Sequence, residues 1–270
     1  MLKNKNAVIF GAGGSMGGAI ARAFAAAGAK VFVTDHRLDN IKKLADEINA
    51  SGGNAEAAIV DAMDEAAINS YMDNDNMVQQ SGTIDIAFNL IATKSVQNIP
   101  LVNMKMADFL LPVNIAMQSH FLTDTAAARV MIKQGSGVIL SLTATPGGIA
   151  YPGVGGFSAA CCAMESLSAN LAAEVGPYGV RVVNIRSAGS PDSKVFQDAI
   201  ASAPDEMKII LGKLENDTML KTLPLMKDIA NTAVFLASDM AGKITGVTID
   251  VTCGTTAGLN YRSTNDILFK

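Results

Sequence analysis

Chemistry concentrates first in Gly11-Ala12-Gly13-Gly14-Ser15-Met16-Gly17. Glycines let a backbone come close to a diphosphate, and a helix starting beside them turns unpaired N–H groups toward the anion. The apolar run at 7–10 and the helical pattern at 16–28 supply the strand, loop and helix that this reading needs. About 20 residues on, Val31-Phe32-Val33-Thr34-Asp35 ends a second strand in a carboxylate. A carboxylate there bonds the ribose hydroxyls and repels a 2′-phosphate, so NAD is expected over NADP. Arg37, which can contact a phosphate, weakens that preference. Asp61 ends the third strand and is placed to close the adenine pocket; a solvated strand-end aspartate is the alternative.

Other chemistries find little support. Cys161 and Cys162 are adjacent, Cys253 stands apart, and the two histidines are His36 and His120. That set forms neither a disulfide framework nor a zinc spacing, so no metal is expected. His36 reads as a solvated loop residue and His120 as a helix-surface or interface residue. The net charge of −4 gives no basic footprint for nucleic acid or an anionic membrane. No apolar run reaches the roughly 18 residues that span a bilayer, and the N-terminus enters a strand with no signal peptide before it. A cytoplasmic protein is the expectation. With 49% hydrophobic and 17% charged residues, a large core is also expected.

The elements that must position these residues alternate along the chain. Strands are expected over 7–10, 30–35, 55–61, 84–89, 137–143, 180–185 and 247–251. Helical patterns fall over 16–28, 38–51, 64–80, 106–134, 156–176 and 226–238. Such alternation means βαβ crossovers, hence an α/β fold with a doubly wound parallel sheet in three αβα layers. No internal boundary is visible, so residues 1–270 are expected to form one domain. The stretch 188–224, interrupted by Pro191, Pro204 and Pro224, lacks clear periodicity and reads as a substrate lid. The tail 259–270 carries no legible pattern.

The order of motifs resembles the short-chain dehydrogenase/reductase family, and the likeness covers nearly the whole chain. The glycine loop fits, with Ser15 in place of a glycine. Ile84-Asp85-Ile86-Ala87-Phe88-Asn89 is similar to the family's fourth strand, whose Asn-Asn-Ala-Gly ending stands here as Asn89-Leu90-Ile91-Ala92. Asn114, in Pro112-Val113-Asn114-Ile115, sits where the family keeps its catalytic-helix asparagine; a structural role on the helix is the other reading. Gly176-Pro177-Tyr178-Gly179-Val180-Arg181-Val182-Val183-Asn184-Ile185 matches the approach to the sixth strand, and the usual Pro-Gly after it is Ala188-Gly189. Phe235-Leu236-Ala237-Ser238-Asp239 and Ile244-Thr245-Gly246 resemble the family's C-terminal end. The resemblance implies a Rossmann fold, an NAD(P) cofactor cradled by Gly11, Gly13, Gly14, Ser15, Met16, Gly17, Asp35, Arg37, Asp61, Asn89, Ala92 and Gly189, and a homodimer or homotetramer. Long helices over 106–134 and 156–176 would join the subunits, with 159–164 a fitting face.

Departures from the family are informative. Its catalytic serine position holds Ala144, its tyrosine position Phe157 and its lysine position Cys161. Residues i and i+4 share a helix face, so the family's lysine favours phenolate on its tyrosine for proton exchange during hydride transfer. Phe157 has no proton, Cys161 no fixed charge, and Ala144 no hydroxyl. Thr143 and Thr145 flank the empty serine position, and a small loop shift would redirect one hydroxyl. Tyr151 lies in a stretch rich in glycine (Gly147, Gly148, Gly153, Gly155, Gly156) that can bring it inward, as a proton donor or as a packed residue. Cys161 is a reactive thiol or a small buried hydrophobe.

Two functions follow as expectations. One is an oxidoreductase on a small, mostly apolar carbonyl or alcohol, using a non-standard proton donor. The other is an NAD-binding homologue without turnover, acting as a sensor or as partner of an active paralogue. A purely structural role fits the retained glycine loop and Asp35 least.

Overall fold

The computed structural model describes residues 1–74 and 82–258. Seven parallel strands form one sheet: β1 (Asn6–Phe10), β2 (Lys30–Asp35), β3 (Asn54–Ile59), β4 (Ile86–Asn89), β5 (Gly137–Ala144), β6 (Val180–Ser187) and β7 (Val247–Val251). Their spatial order is β3-β2-β1-β4-β5-β6-β7, so the winding reverses between β1 and β4. Ligands of open α/β sheets bind at that reversal, outside the carboxyl ends of the strands. The doubly wound architecture read from the alternation is the one present.

Each side chain direction along a strand feeds one of two cores. Ala7, Ile9, Val31, Val33, Val138 and Leu140 face α1 (Ser15–Ala26), α2 (Leu38–Ala50) and the later helix Met226–Ala237. Val8, Phe10, Phe32, Ile139 and Val182 face the opposite layer. That layer holds α3 (Glu65–Asn69), α4 (Met106–Gln134) and α5 (Gly156–Val175). Strands covered on both faces need continuous apolar runs rather than alternation, which explains Ala7–Phe10 and 138–140 in sequence. Each large side chain so buried contributes about 1.5–3 kcal/mol relative to exposure.

The ends of elements follow local chemistry. Asp64 caps α3 by accepting from the N–H groups of Ala66 and Ala67. A π-helical turn at Ser70–Asn74 continues α3. Residues 75–80 of the expected 64–80 helix lie outside the described residues. α4 ends at Gly135 in the left-handed conformation (φ 72°), which glycine adopts without steric cost.

Two details differ from the sequence reading. β3 stops at Ile59, so Asp61 lies two residues beyond the strand. The 188–224 stretch is largely helical, with α6 (Lys194–Ser202) and α7 (Pro204–Asn216) preceding α8 (Met226–Ala237). Pro204 stands at the first position of α7, where its missing N–H costs nothing, and so opens a helix instead of interrupting one. A short turn of helix, α9 (Thr255–Gly258), follows β7.

Candidate active site

The glycine loop sits at the β1/β4 reversal and is packed as tightly as its composition demands. A Cβ on Gly11, which has φ +76°, would meet the Leu90 carbonyl oxygen at 2.8 Å. One on Gly17 would meet the Gly11 oxygen at 2.6 Å, and one on Gly13 would meet Asp35 Oδ2 at 2.7 Å. Gly14 is different, with only the Gly11 oxygen near, at 3.7 Å. Ser15 and Met16 open α1, whose first amides point out of the loop. The Ser15 hydroxyl accepts from the Lys194 N–H at 3.2 Å and ties α6 to this loop.

Asp35 is the acid beside the cradle. Its Oδ2 accepts from Gly13 N–H at 3.3 Å, and its Oδ1 accepts from Arg37 N–H at 3.2 Å. His36 Nδ1 lies 3.0 Å from Oδ1, on an imidazole that is exposed. Arg37 is exposed and precedes α2. Asp61 is also exposed, accepting from the Met63 N–H in a local turn.

At the end of β4 both polar atoms of the Asn89 side chain are engaged inside the protein. Its Nδ2 donates to Thr123 Oγ1 and its Oδ1 accepts from Ile91 N–H, both at 2.9 Å. Asn89 thus shapes the loop, while Ala92 is exposed beyond it. At the end of β6, Gly189 has no room for a side chain against the Phe196 ring. Next to it the buried Ser190 hydroxyl has no hydrogen-bond partner. Buried polar atoms are normally paired, so an orphan here marks a place for a bound molecule. The cradle that Cβ atoms would fill, the carboxylate and this orphan hydroxyl together fit a dinucleotide.

Beyond Gly189 lies a cavity of about 480 Å³. Ala144, Thr145, Tyr151, Phe157, Ala188 and Gly189 form one side of it. Val195, Phe196 and Ala199 of α6, Met207 and Leu214 of α7, and Leu223 close the other. The Tyr151 phenol is half-buried; burial raises its pKa, and the negative charge of Asp217 adds to the rise. Phe157 occupies the first turn of α5 and packs toward Ala116, Ala160 and Met164.

Several candidates fall outside this cavity. Thr143 lies at the far side of β5, where its hydroxyl donates to Glu165 Oε1 at 2.8 Å and accepts from Asn184 Nδ2 at 2.7 Å. Asn114 is exposed on α4 and does not line the cavity. Cys161 is wholly buried between α4 and α5, where burial pushes its thiol up to about 11. His120 departs from expectation: it is buried, with Nδ1 3.3 Å from Asp124 Oδ2. Its place on the sheet-facing side of α4 accounts for this, since the helix period turns it toward Asn89 and Thr123. Of 159–164, Ala160, Cys161 and Met164 are buried within the chain, leaving Cys162 exposed.

An ion cluster unmarked in the sequence reading supports the loop after β5. Arg186 Nη2 meets Glu165 Oε2 at 2.5 Å and its Nη1 meets Asp250 Oδ1 at 3.0 Å. A Cβ on Gly148 would meet the Arg186 guanidinium carbon at 2.7 Å, so the Thr145–Gly147 turn and its next residue rest directly on this pair. A charged residue near the end of β6, beside the buried Asn184 and Ile185, was the available signal. Among the described residues no group of three or more His, Cys, Asp or Glu could hold a metal ion. Among them, too, no helix is long and apolar enough to cross a membrane.

Fold, reversal point and cradle define a dinucleotide-binding α/β protein. A family model described as enoyl-(acyl carrier protein) reductase matches residues 11–256. The 7alpha-hydroxysteroid dehydrogenase of Escherichia coli (strain K12) is 31% identical over 261 residues, covering 96% of this chain and 97% of that protein. The chain belongs to the short-chain dehydrogenase/reductase family, whose members bind NAD(P), and it is an oxidoreductase of that family. Among solved structures, sorbitol-6-phosphate 2-dehydrogenase from Erwinia amylovora superposes with a TM-score of 0.83 at 27% identity, covering 92% of this chain and 98% of that one. A gluconate 5-dehydrogenase from Burkholderia cenocepacia J2315, in complex with NADP and tartrate, has a TM-score of 0.85 at 23% identity. It covers 95% of this chain and 97% of its own, and shows a shared fold.

Proposed function

We propose that this chain is an NAD-dependent oxidoreductase that interconverts a carbonyl and an alcohol, with Tyr151 as proton donor. One observation carries the reading. Thr145 and Tyr151, which carry hydroxyls, line the same cavity as Ala144 and Phe157, which stand at the family's serine and tyrosine positions. In this reading Ala144, Phe157 and Cys161 replace the family's Ser, Tyr and Lys, and Thr145 and Tyr151 serve in their place.

A bound nicotinamide supplies or accepts hydride at the substrate carbon. This chain's residues handle the remainder. For reduction, the Tyr151 phenol gives its proton to the substrate oxygen, and solvent returns one to the phenolate. Thr145 Oγ1 holds the same oxygen by a hydrogen bond. Burial and the charge of Asp217 raise the Tyr151 pKa and make it a weaker acid than the family's lysine-assisted tyrosine, so its role rests on its placement in the cavity. General acid catalysis of this kind contributes about 10²–10⁴-fold. Phe157 and the apolar wall exclude water, and Asn114 serves its helix and takes no part in proton transfer.

The cradle glycines and Ser15 hold the diphosphate, Met16 packs the start of α1, and Asp61, Ala92 and Gly189 border the adenine and nicotinamide ends. Asp35 sets the preference for NAD over NADP. Its carboxylate already holds Gly13 and occupies the ground a 2′-phosphate would need, and Arg37 points from the exposed start of α2. Residues 1–270 act as one domain, with α6 and α7 as its lid.

Titration of the purified protein with NADH and NADPH, followed by nicotinamide fluorescence, should show NADH bound at least tenfold more tightly. Equal affinity would remove Asp35 as the discriminator. Tyr151→Phe should lower kcat by about 10²–10³-fold while leaving the NADH dissociation constant unchanged. Unchanged turnover would remove Tyr151 from the mechanism. Wild-type protein that binds NADH and reduces no carbonyl would instead favour the non-catalytic sensor or partner subunit.

A further inference from the structure

We infer that the cavity admits an uncharged, mainly apolar ring compound, such as a bicyclic ketone or its secondary alcohol, and turns away anions. The inference rests on the cavity being the substrate site of the proposed oxidoreductase. Among the described residues no Asp, Glu, Lys, Arg or His lines it; the polar side chains that do belong to Gln97, Thr145, Tyr151 and Thr255. A buried carboxylate or phosphate needs a cation or several donors to replace its lost hydration.

Two cations near the cavity wall are already engaged. Arg186 is held by Glu165 and Asp250, and Lys194 pairs with Asp198 on the outer side of α6. Asp217, whose charge reaches the Tyr151 phenol, adds a negative potential at the lid side. The walls meet a ring instead: Phe157 and Phe196 offer aromatic surface, and Met207, Leu214 and Leu223 close over it. At about 480 Å³ the cavity lies in the range of roughly 300–1,000 Å³ that encloses a multi-ring or drug-sized ligand. A three- or four-carbon substrate would leave most of that apolar wall wet. Only four polar side chains stand on the wall, so one oxygen on a ring is readily paired and a polyhydroxylated chain outnumbers its partners.

Calorimetric titration of the NADH-loaded full chain with 1-tetralone, gluconate and glucose 6-phosphate tests this. The ketone should bind at least tenfold more tightly than either anion. An anion binding as well as the ketone overturns the inference, and so does a ketone that gives no binding up to its solubility. Oxidation of NADH is read separately by absorbance. Ketone binding without oxidation defeats the proton-donor reading and leaves the substrate class standing. Leu214→Lys, at a half-buried position of α7 whose lysine stem can still cover apolar surface, brings an ammonium to the lid. It should weaken the ketone at least tenfold and strengthen glucose 6-phosphate. Ketone binding unchanged in that variant would place the ketone elsewhere and overturn the inference.

Discussion

Thr143 and Thr145 show how little separates a structural hydroxyl from one that faces substrate. In sequence they flank Ala144 symmetrically and share strand parity. β5, however, ends at Ala144 and a 3₁₀ turn begins at Thr145, so the second threonine rotates toward the cavity while the first stays bonded to Glu165 and Asn184. Beneath the turn lies the Arg186–Glu165 pair, a contact between positions 21 residues apart that no local pattern reveals. Cys161 was legible as either thiol or hydrophobe, and burial decides it. The group is uncharged below its raised value of about 11, against an ordinary value of 9.0, and the thiolate is the reactive form. Raised in the folded state, it contributes stability that is complete below pH 9 and is lost as pH climbs through 11. Titration with a thiol-reactive disulfide reagent at pH 8 should leave Cys161 unmodified until denaturant is added. Prompt modification of Cys161 in the native protein would show that the helix seam opens.

Between elements, sequence periodicity located the strands and long helices because each is apolar on the faces that the sheet and its layers bury. It failed over 188–224 for a stated reason. Pro204 opens α7, and Asp205 and Glu206 follow it in the first turn where the helix dipole favours acids, so a helix start looked like a break. The seam between α4 and α5 was likewise hidden, since it depends on one glycine. A Cβ on Gly156 would collide with the Phe109 carbonyl oxygen, which is backbone and unable to yield cheaply. The start of α5 carries Phe157 into the cavity, so this close approach positions the site as well as the core. Gly156→Ala should therefore destabilise the protein by about 1–3 kcal/mol, the usual cost of overpacking. Chemical denaturation with the slope unchanged would measure it. A neutral effect would mean that α4 slides freely along α5, and kcat should then be unaffected too.

At the scale of the whole molecule, apolar surface on α4 is left without a partner inside the chain. This helix runs 29 residues, or about 44 Å at 1.5 Å per residue. Its inner side is consumed by the sheet and by α5. Met106, Leu110 and Phe121, spaced by four and eleven residues, fall on one outer stripe, where they are 70%, 37% and 56% exposed. A monomer has no use for such a stripe, whereas a symmetric pair of copies would lay it against itself. We propose a homodimer, or a homotetramer built from two such pairs, through this stripe and the exposed side of α5 around Cys162. None of the three residues lines the cavity, and Phe121 stands midway along α4, so breaking the stripe there should spare cofactor binding. Sedimentation equilibrium at micromolar concentration should show at least a dimer. Phe121→Asp, which places a charge where the apolar contact is needed, should shift the protein toward monomer with its NADH affinity unchanged. A monomeric wild type would leave the stripe without this explanation, and a Phe121→Asp variant that stays fully associated would move the interface to another face.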